Sequence, residues 1–284
     1  MGVAETCGLQ PAWVGQRRGR SENLVFSASY LADLINSECG FSRTKHSESQ
    51  FMRPLSQRGI IGHSSRVIGH SVLGAPLEVF ECTSTSPQAL IFAGIHGDEA
   101  ETTLLLSRAL RLLSPDQLAS DVVLAVNPDG LARGTRGNAN GVDLNRNFAT
   151  TSWSSDPTCF KWDREGNRDV VLSPGVSPAS EPETTALVKL VADRSPSIVV
   201  ALHSPLECIE EPARSNVGAW LSLQTGMPHV EDIGYPTPGA FGAWALEQGH
   251  SAITYEMPND QPFRMIEALH QPAVISLLRG KFPQ

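Results

Sequence analysis

From about residue 66 onward the chain alternates short apolar runs with stretches of helical spacing. Residues 66–83 read as a hairpin, two strand-like stretches joined by turn residues at 74–76. Residues 90–95 form a continuous apolar run suited to a buried parallel strand. Residues 99–113 follow with helical spacing that places Leu105, Ala109, Leu112 and Leu113 on one stripe. Residues 122–126 predict another buried strand, closed by Asn127-Pro-Asp-Gly as a turn. Ser180-Glu-Pro-Glu183 has the spacing of a capping box that opens a helix to about residue 194, and residues 198–202 predict a further strand. Helices are expected over about 215–226 and 240–249, with a last core strand at 252–255. A final helix over 264–278 is expected to be interrupted at Pro272. Such alternation predicts an α/β fold, a single domain with a mostly parallel mixed sheet and helices on both faces. Residues 1–51 lack this rhythm: they mix Gly, Ser, Arg and Glu around one short helical candidate at 28–35 and read as a poorly ordered leader. Met52 precedes Arg53-Pro-Leu55 and is a candidate for the true start, so that the folded domain is expected over 52–284.

Composition narrows this picture. With 284 residues and 40 % hydrophobic content the chain can bury one large core. No apolar run approaches the roughly 18 residues of a membrane span, and the first twenty residues hold no secretory h-region. Five cysteines are scattered without a Cys-x-x-Cys spacing, which fits reduced thiols in a cytosol. A net charge of −8 argues against nucleic acid or an anionic membrane as the main partner, while leaving room for a locally basic site.

Polar residues at the predicted strand ends carry the chemistry. His96 follows Ile95, Asn127 follows Val126, His203 follows Leu202, and Glu256 follows Tyr255. In an open parallel sheet, ligands bind outside the carboxyl ends of the strands, so these four residues are expected to converge on one edge. His96 and Glu99, three apart in an opening helical turn, point the same way and can grip one cation. Alone, His-x-x-Glu is a weak signal that a loop His and a surface Glu satisfy equally well. With His203 the set becomes two imidazoles and a carboxylate, which leaves one position of a tetrahedral Zn²⁺ for a water whose pKa falls to about 7. Glu256 is the candidate general base and acid. Residues 133–148 add Arg133, Arg136 and Arg146 against the single acid Asp143. Arginine forks bind carboxylates bidentately, and one aimed at a developing oxyanion stabilises the transition state. The glycines of this loop lack a Gly-Lys-Ser/Thr ending, which removes a phosphate-binding P-loop. Ser64 and Ser71 lack the Gly-x-Ser-x-Gly elbow. His46, His63, His70, His229, His250 and His270 are expected in turns or helix ends, in surface or structural roles.

In combination these residues resemble the zinc carboxypeptidases of the M14 type over about residues 53–280. The motifs are Gly94-Ile-His-Gly-Asp-Glu99, Asn127-Pro-Asp-Gly130, Thr135-Arg136, Gly141-Val-Asp-Leu-Asn-Arg-Asn-Phe148, His203-Ser204 and Glu256. Within that family the chain is similar to the bacterial murein peptide amidases through Leu73-Gly-Ala-Pro-Leu77, Arg168-Asp-Val-Val-Leu172, Ser180-Glu-Pro-Glu-Thr184, Cys208-Ile-Glu210 and Gly234-Tyr-Pro-Thr-Pro-Gly239. The resemblance implies a zinc-carboxypeptidase-like fold with one Zn²⁺ per chain held by His96, Glu99 and His203. It implies Glu256 as general base and acid, Arg136 as the group that polarises the scissile carbonyl, and Asn145 with Arg146 as holders of the substrate's terminal carboxylate. The implied substrate is a small anionic peptide, the murein tripeptide, cleaved between γ-D-glutamate and meso-diaminopimelate during cytoplasmic recycling of cell-wall fragments; a homodimer stays open. Classical members carry a mobile tyrosine at a similar distance before the catalytic Glu as Tyr235 here, but Tyr235 lies in a Pro- and Gly-rich loop and reads equally as an aromatic packed over the site's edge. Two further readings share the zinc site: an N-acyl amino acid deacylase of the succinylglutamate desuccinylase type, and a non-catalytic zinc-dependent binder of anionic peptides.

Overall fold

A computed structural model describes residues 61–162 and 168–283. The expectations of a leader over 1–51, a helix at 28–35 and a start at Met52 lie outside the described residues.

The strands are β1 (Ser65–His70), β2 (Pro76–Phe80), β3 (Leu90–Phe92), β4 (Asp121–Val123), β5 (Thr158–Trp162), β6 (Arg168–Leu172), β7 (Val199–His203), β8 (Cys208–Glu210), β9 (His229–Val230) and β10 (Ala252–Glu256). The helices are α1 (Ala100–Leu110), α2 (Pro128–Arg133), α3 (Pro182–Arg194), α4 (Asn216–Thr225), α5 (Phe241–Glu247) and α6 (Phe263–Leu278). Eight strands form one sheet in the order β1-β2-β4-β3-β7-β10-β8-β9, and β5 and β6 form a separate hairpin. Its centre, β4-β3-β7-β10, is parallel throughout, and antiparallel pairing enters at β1/β2, β2/β4 and β10/β8. The mixed, mostly parallel sheet with helices on both faces is the architecture that the alternation predicts.

Side-chain alternation divides the core into two layers. Ile91, Val122, Val200, Leu202, Ile253 and Tyr255 face one layer, where α1, α4 and α6 cover them. Leu90, Phe92, Val123, Val199 and Ala201 face the other, under α3 and α5. The central strands are buried on both sides, which is why they read as continuous apolar runs. His203 has the parity of Val199 and Ala201, and Glu256 that of Ala252 and Thr254. Both therefore emerge on the α3/α5 side of the sheet, at the strands' carboxyl ends.

Several local expectations change. The runs at 90–95 and 122–126 are strand only over Leu90–Phe92 and Asp121–Val123. On α1 the buried stripe is Thr102, Leu105, Leu106, Ala109 and Leu110, and Leu112 is exposed because the helix ends before it. Asn127-Pro-Asp-Gly opens α2 instead of closing as a turn. The Asn127 side chain accepts from Gly130 N at 2.8 Å and Pro128 sits at the first helical position, both favourable helix starts. No capping box forms at α3. Ser180 Oγ donates to Glu181 at 2.7 Å, while the Glu183 carboxylate accepts from Val72 N at 3.0 Å and Asn138 Nδ2 at 3.1 Å. The Ser180 hydroxyl also accepts from Asn147 Nδ2 at 3.1 Å, so other partners have taken both groups that a box would use. Helix α6 runs through Pro272 without interruption, held by Ile266 and His270 before the proline and by Val274 and Leu277 after it. The β5/β6 hairpin, β8 and β9 had no counterpart among the predicted elements.

Candidate metal centre and active site

The sharp turn between β3 and α1 places the first two candidates. Gly97 packs so tightly on the opening of α2 that a Cβ there would collide with the Gly130 carbonyl carbon and Leu131 N, so only glycine fits beside His96. Glu99 occupies the N-cap position of α1, and His203 closes β7, the neighbour of β3. The three meet: one donor atom each from His96, Glu99 and His203 lie within 4.8 Å of one another, all buried.

Glu99 is the hub. Its Oε1 lies 2.7 Å from His96 Nδ1 and accepts from Arg136 at 3.2 Å; its Oε2 lies 3.1 Å from His203 Nδ1 and accepts from Ser204 N at 3.2 Å. The far nitrogen of His96, Nε2, sits 3.1 Å from Asp143 Oδ1. Burial and the Arg136 guanidinium oppose charge on His96, yet the carboxylates of Glu99 and Asp143 outweigh them and hold its pKa up at about 9. Burial likewise opposes ionisation of Glu99, but the two histidines keep it well below the usual carboxylate range. The donor set suits Zn²⁺: two imidazole nitrogens and one carboxylate oxygen face a common point, and a carboxylate fixes the tautomer and tilt of one imidazole from behind. Binding of a divalent ion there is coupled to deprotonation of its ligands.

Asp143 also receives Arg136 Nε at 3.2 Å on its second oxygen. Burial works against the charge of both partners, but their mutual attraction wins, raising the Arg136 pKa and lowering that of Asp143. The Phe160 ring lies 4.2 Å from the guanidinium carbon and covers the other face of Arg136. Arg136 is thus a fixed cation beside the candidate metal ligands. The short 3-10 turn Leu144–Arg146 carries Asn145 and Arg146 into the same pocket. Asn145 Oδ1 accepts from Phe241 N at 2.8 Å, tying the turn to the start of α5. Arg146 is buried, which lowers its pKa; it donates to Asn145 O at 2.8 Å, and its Nε has no hydrogen-bond partner among the described residues. An unsatisfied buried guanidinium N–H is costly, and the residue that carries it lines the pocket.

Glu256 ends β10 in register with His203 on the adjacent strand. Its carboxylate accepts from Leu206 N at 3.3 Å, and burial pushes its pKa up to about 6, near the optimum for a proton carrier at neutral pH. One pocket is lined by all seven candidates: His96, Glu99, Arg136, Asn145, Arg146, His203 and Glu256.

Other expectations fare differently. Asn127 does not reach the pocket; its side chain caps α2 and donates to Arg136 O at 3.3 Å, bracing the arginine from behind. Of the three clustered arginines only Arg136 and Arg146 face the site, while Arg133 is exposed and donates to Asp129 O at 2.9 Å. Tyr235 lines the pocket, and burial raises the pKa of its phenol. Several histidines are not at turns or helix ends: His70 and His229 lie in strands β1 and β9. His63 and His270 are buried, bonded respectively to the carbonyls of Leu110 and Leu113 and to the Tyr255 hydroxyl, so the structural half of that expectation describes them. His46 lies outside the described residues. Sequence reasoning gave no role to Asp143, Phe160 or Glu210. Asp143 left a signal, as the one acid among three arginines, whereas the three-residue strand that carries Glu210 is too short to show a period.

Known proteins of similar sequence and fold are zinc carboxypeptidases and murein peptide amidases. The zinc carboxypeptidase family profile, Peptidase_M14, matches residues 50–216. Murein peptide amidase A of Escherichia coli K12 is 46 % identical over 208 residues, covering 72 % of this chain and 86 % of that protein. The murein peptide amidase A of Vibrio campbellii is 41 % identical over 228 residues, covering 80 % and 92 %. Among solved structures, the murein-tripeptide amidase MpaA from Escherichia coli O157 superposes with a TM-score of 0.75 at 42 % identity, over 80 % of this chain and 96 % of that one. Bovine thrombin-activatable fibrinolysis inhibitor, solved with a tick carboxypeptidase inhibitor, superposes with a TM-score of 0.59 at 20 % identity over 76 % and 88 %, a likeness of fold.

Proposed function

The chain belongs to the zinc carboxypeptidase family, and from that premise we propose that it is a zinc amidase cleaving the γ-D-glutamyl–meso-diaminopimelate bond of murein tripeptide in cytoplasmic peptide recycling. One observation carries the reading: the buried His96-Glu99-His203 donors share a pocket with two guanidinium groups and the carboxylate of Glu256, whose pKa burial raises to about 6.

Each residue then has a task. His96, Glu99 and His203 hold one Zn²⁺, which when bound supplies Lewis acidity and an acidified water. Arg146, with Asn145 beside it, receives the free carboxylate of the leaving residue on the guanidinium that lines the pocket. Arg136, held against Asp143, donates to the scissile carbonyl oxygen as negative charge grows there. Glu256 takes the proton of the attacking water and passes it to the departing amine. Asp143 holds the tilt of His96 and the direction of Arg136 at once. No helix among the described residues is long and apolar enough to cross a membrane.

The deciding experiment offers the zinc-loaded protein murein tripeptide and N-succinylglutamate, each with and without chelator, and identifies the amine released. Chelator-sensitive release of diaminopimelate from the tripeptide is expected. Hydrolysis of N-succinylglutamate alone would transfer the assignment to a deacylase.

A further inference from the structure

The sheet register places a second anion in the pocket that neither metal binding nor proton transfer uses. Cys208, Glu256 and His203 form one row across β8, β10 and β7; two residues away, back along β10 and β7 and forward along the antiparallel β8, lies the row Glu210, Thr254 and Ala201. Alternation puts both rows on the same face of the sheet, and all three members of the second row line the pocket. Strand geometry sets the rows roughly 6.6 Å apart. Glu210 thus sits one strand over and one pleat deeper than Glu256, on the floor of the pocket beyond the candidate metal ligands.

The surroundings of Glu210 are those of a binding group. Its carboxylate accepts a hydrogen bond from the Thr254 side chain, and among the described residues it has no ion-pair partner. Burial, joined by the Asp232 carboxylate, pushes its pKa upward, and the Arg146 guanidinium only partly offsets this. A half-buried carboxylate that gains no counter-ion from its own chain costs stability unless a ligand supplies the cation. The walls around it are small, Ala201, Ala240, Gly242 and Ala243, and leave its oxygens reachable from the pocket.

We propose that Glu210, oriented by Thr254, is the specificity residue that receives a second ammonium group on the leaving amino acid. This deepens, and rests on, the reading of the site as an amidase for a diaminopimelate-terminated peptide. The leaving residue's α-carboxylate belongs at Arg146, near the metal row. An ammonium-bearing carbon four carbon–carbon bonds from its α-carbon lies roughly 5 Å further on, close to the separation of the two rows. Diaminopimelate and lysine both carry nitrogen there, and 2-aminopimelate does not. The pocket is thereby dipolar, with guanidinium for the carboxylate end and carboxylate for the amine end.

The test compares kcat/KM of the zinc-loaded full chain on L-Ala-γ-D-Glu peptides ending in meso-diaminopimelate, L-lysine or 2-aminopimelate, for wild type and Glu210→Gln. Losing a charge-assisted hydrogen bond should make the wild type prefer the ammonium-bearing ends by roughly ten- to a hundredfold. Glu210→Gln should bring that preference close to one. Thr254→Val, near in shape, should reduce it partially and supplies the answer if Glu210→Gln fails to fold. A wild type indifferent to the amine, or a Glu210→Gln protein that keeps the preference, overturns the assignment. A variant that slows on all three peptides equally also overturns it, because that marks a structural role. If no γ-D-glutamyl peptide is cleaved, the functional reading has failed, and calorimetric binding of free meso-diaminopimelate against 2-aminopimelate then decides. A preference for the diamine that Glu210→Gln removes sustains the role of Glu210, and equal binding or none overturns it.

Discussion

Charge placement within a few ångströms separates the acids of this site into different roles. Glu99 and Asp143, each facing histidine and arginine, stay ionised far below neutrality, while Glu256, facing no arginine at hydrogen-bond distance, has its pKa raised by burial to about 6. Two acids suit holding cations and the third suits exchanging a proton. Glu256→Gln keeps size and leaves the donor atoms untouched, so elemental analysis should find zinc retained while kcat falls by at least ~10²; a variant turning over at the wild-type rate would give the proton transfer to another group. Arg146 is tested by geometry. Lysine cannot reproduce the planar fork, so Arg146→Lys should lower kcat/KM for a free-carboxylate peptide by roughly ten- to a hundredfold and should discriminate less than wild type between that peptide and its α-amide. Equal rates on acid and amide in the wild type would remove Arg146 as the carboxylate clamp. At this scale the sequence was legible where chemistry follows strand ends: His96, His203 and Glu256 were visible because each closes an apolar run. Asn127 also closes one and yet turns away, since an asparagine ahead of Pro128 is worth more to the chain as a helix cap than as a pocket wall. Glu210 stood in the motif Cys208-Ile-Glu210 without a role, because its place depends on pairing with a strand more than forty residues away.

Among the elements, those bounded by local signals could be read and those held by tertiary contacts could not. Helix α4 declared itself between the Ser215 cap and Gly226, and the central strands as short apolar runs. The ends of α1, the start of α3 and the course of α6 through Pro272 were decided by packing that no local window contains. Helix α6 also carries a pH-sensitive element of the fold. His270 is fully buried with Nδ1 2.7 Å from the Tyr255 hydroxyl, Nε2 has no partner among the described residues, and burial pushes its pKa down to about 4. A histidine with a depressed folded pKa favours the fold in its neutral form. Its contribution is complete above the unfolded pKa of about 6.5 and is lost progressively as pH falls toward about 4, because the unfolded chain takes up the proton first. Between about pH 7 and about pH 5 this amounts to roughly 2 kcal/mol. Urea unfolding of metal-saturated wild type and His270→Gln at those two pH values should show the wild type losing about that much more stability than the variant. Parallel losses would mean that His270 accepts its proton without leaving the core.

Across the whole molecule, the candidate metal centre joins segments that are distant in sequence. His96 and Glu99 lie in the turn between β3 and α1, and His203 ends β7 more than a hundred residues later; the two strands are hydrogen-bonded neighbours at the middle of the sheet. An ion bound there clamps the carboxyl ends of the parallel core. A ligand that binds only the folded state adds RT ln(1 + [L]/Kd), about 2.7 kcal/mol when free zinc is a hundredfold above Kd. For a folded region of this size each kcal/mol moves the melting temperature by about 2 to 4 °C, so zinc loading should raise it by roughly 5 to 10 °C over chelator-treated protein. His203→Ala removes one of three ligands, and its melting temperature should respond far less to the same zinc concentration. Replacing Glu256, which lies in the pocket but outside the donor set, should leave the zinc-dependent increment in place. That contrast separates clamping of the sheet from zinc attracted by the pocket's negative charge in general: a response of equal size in His203→Ala would place the stabilising ion elsewhere, and an absent response in wild type would leave the centre of the sheet without its proposed tie.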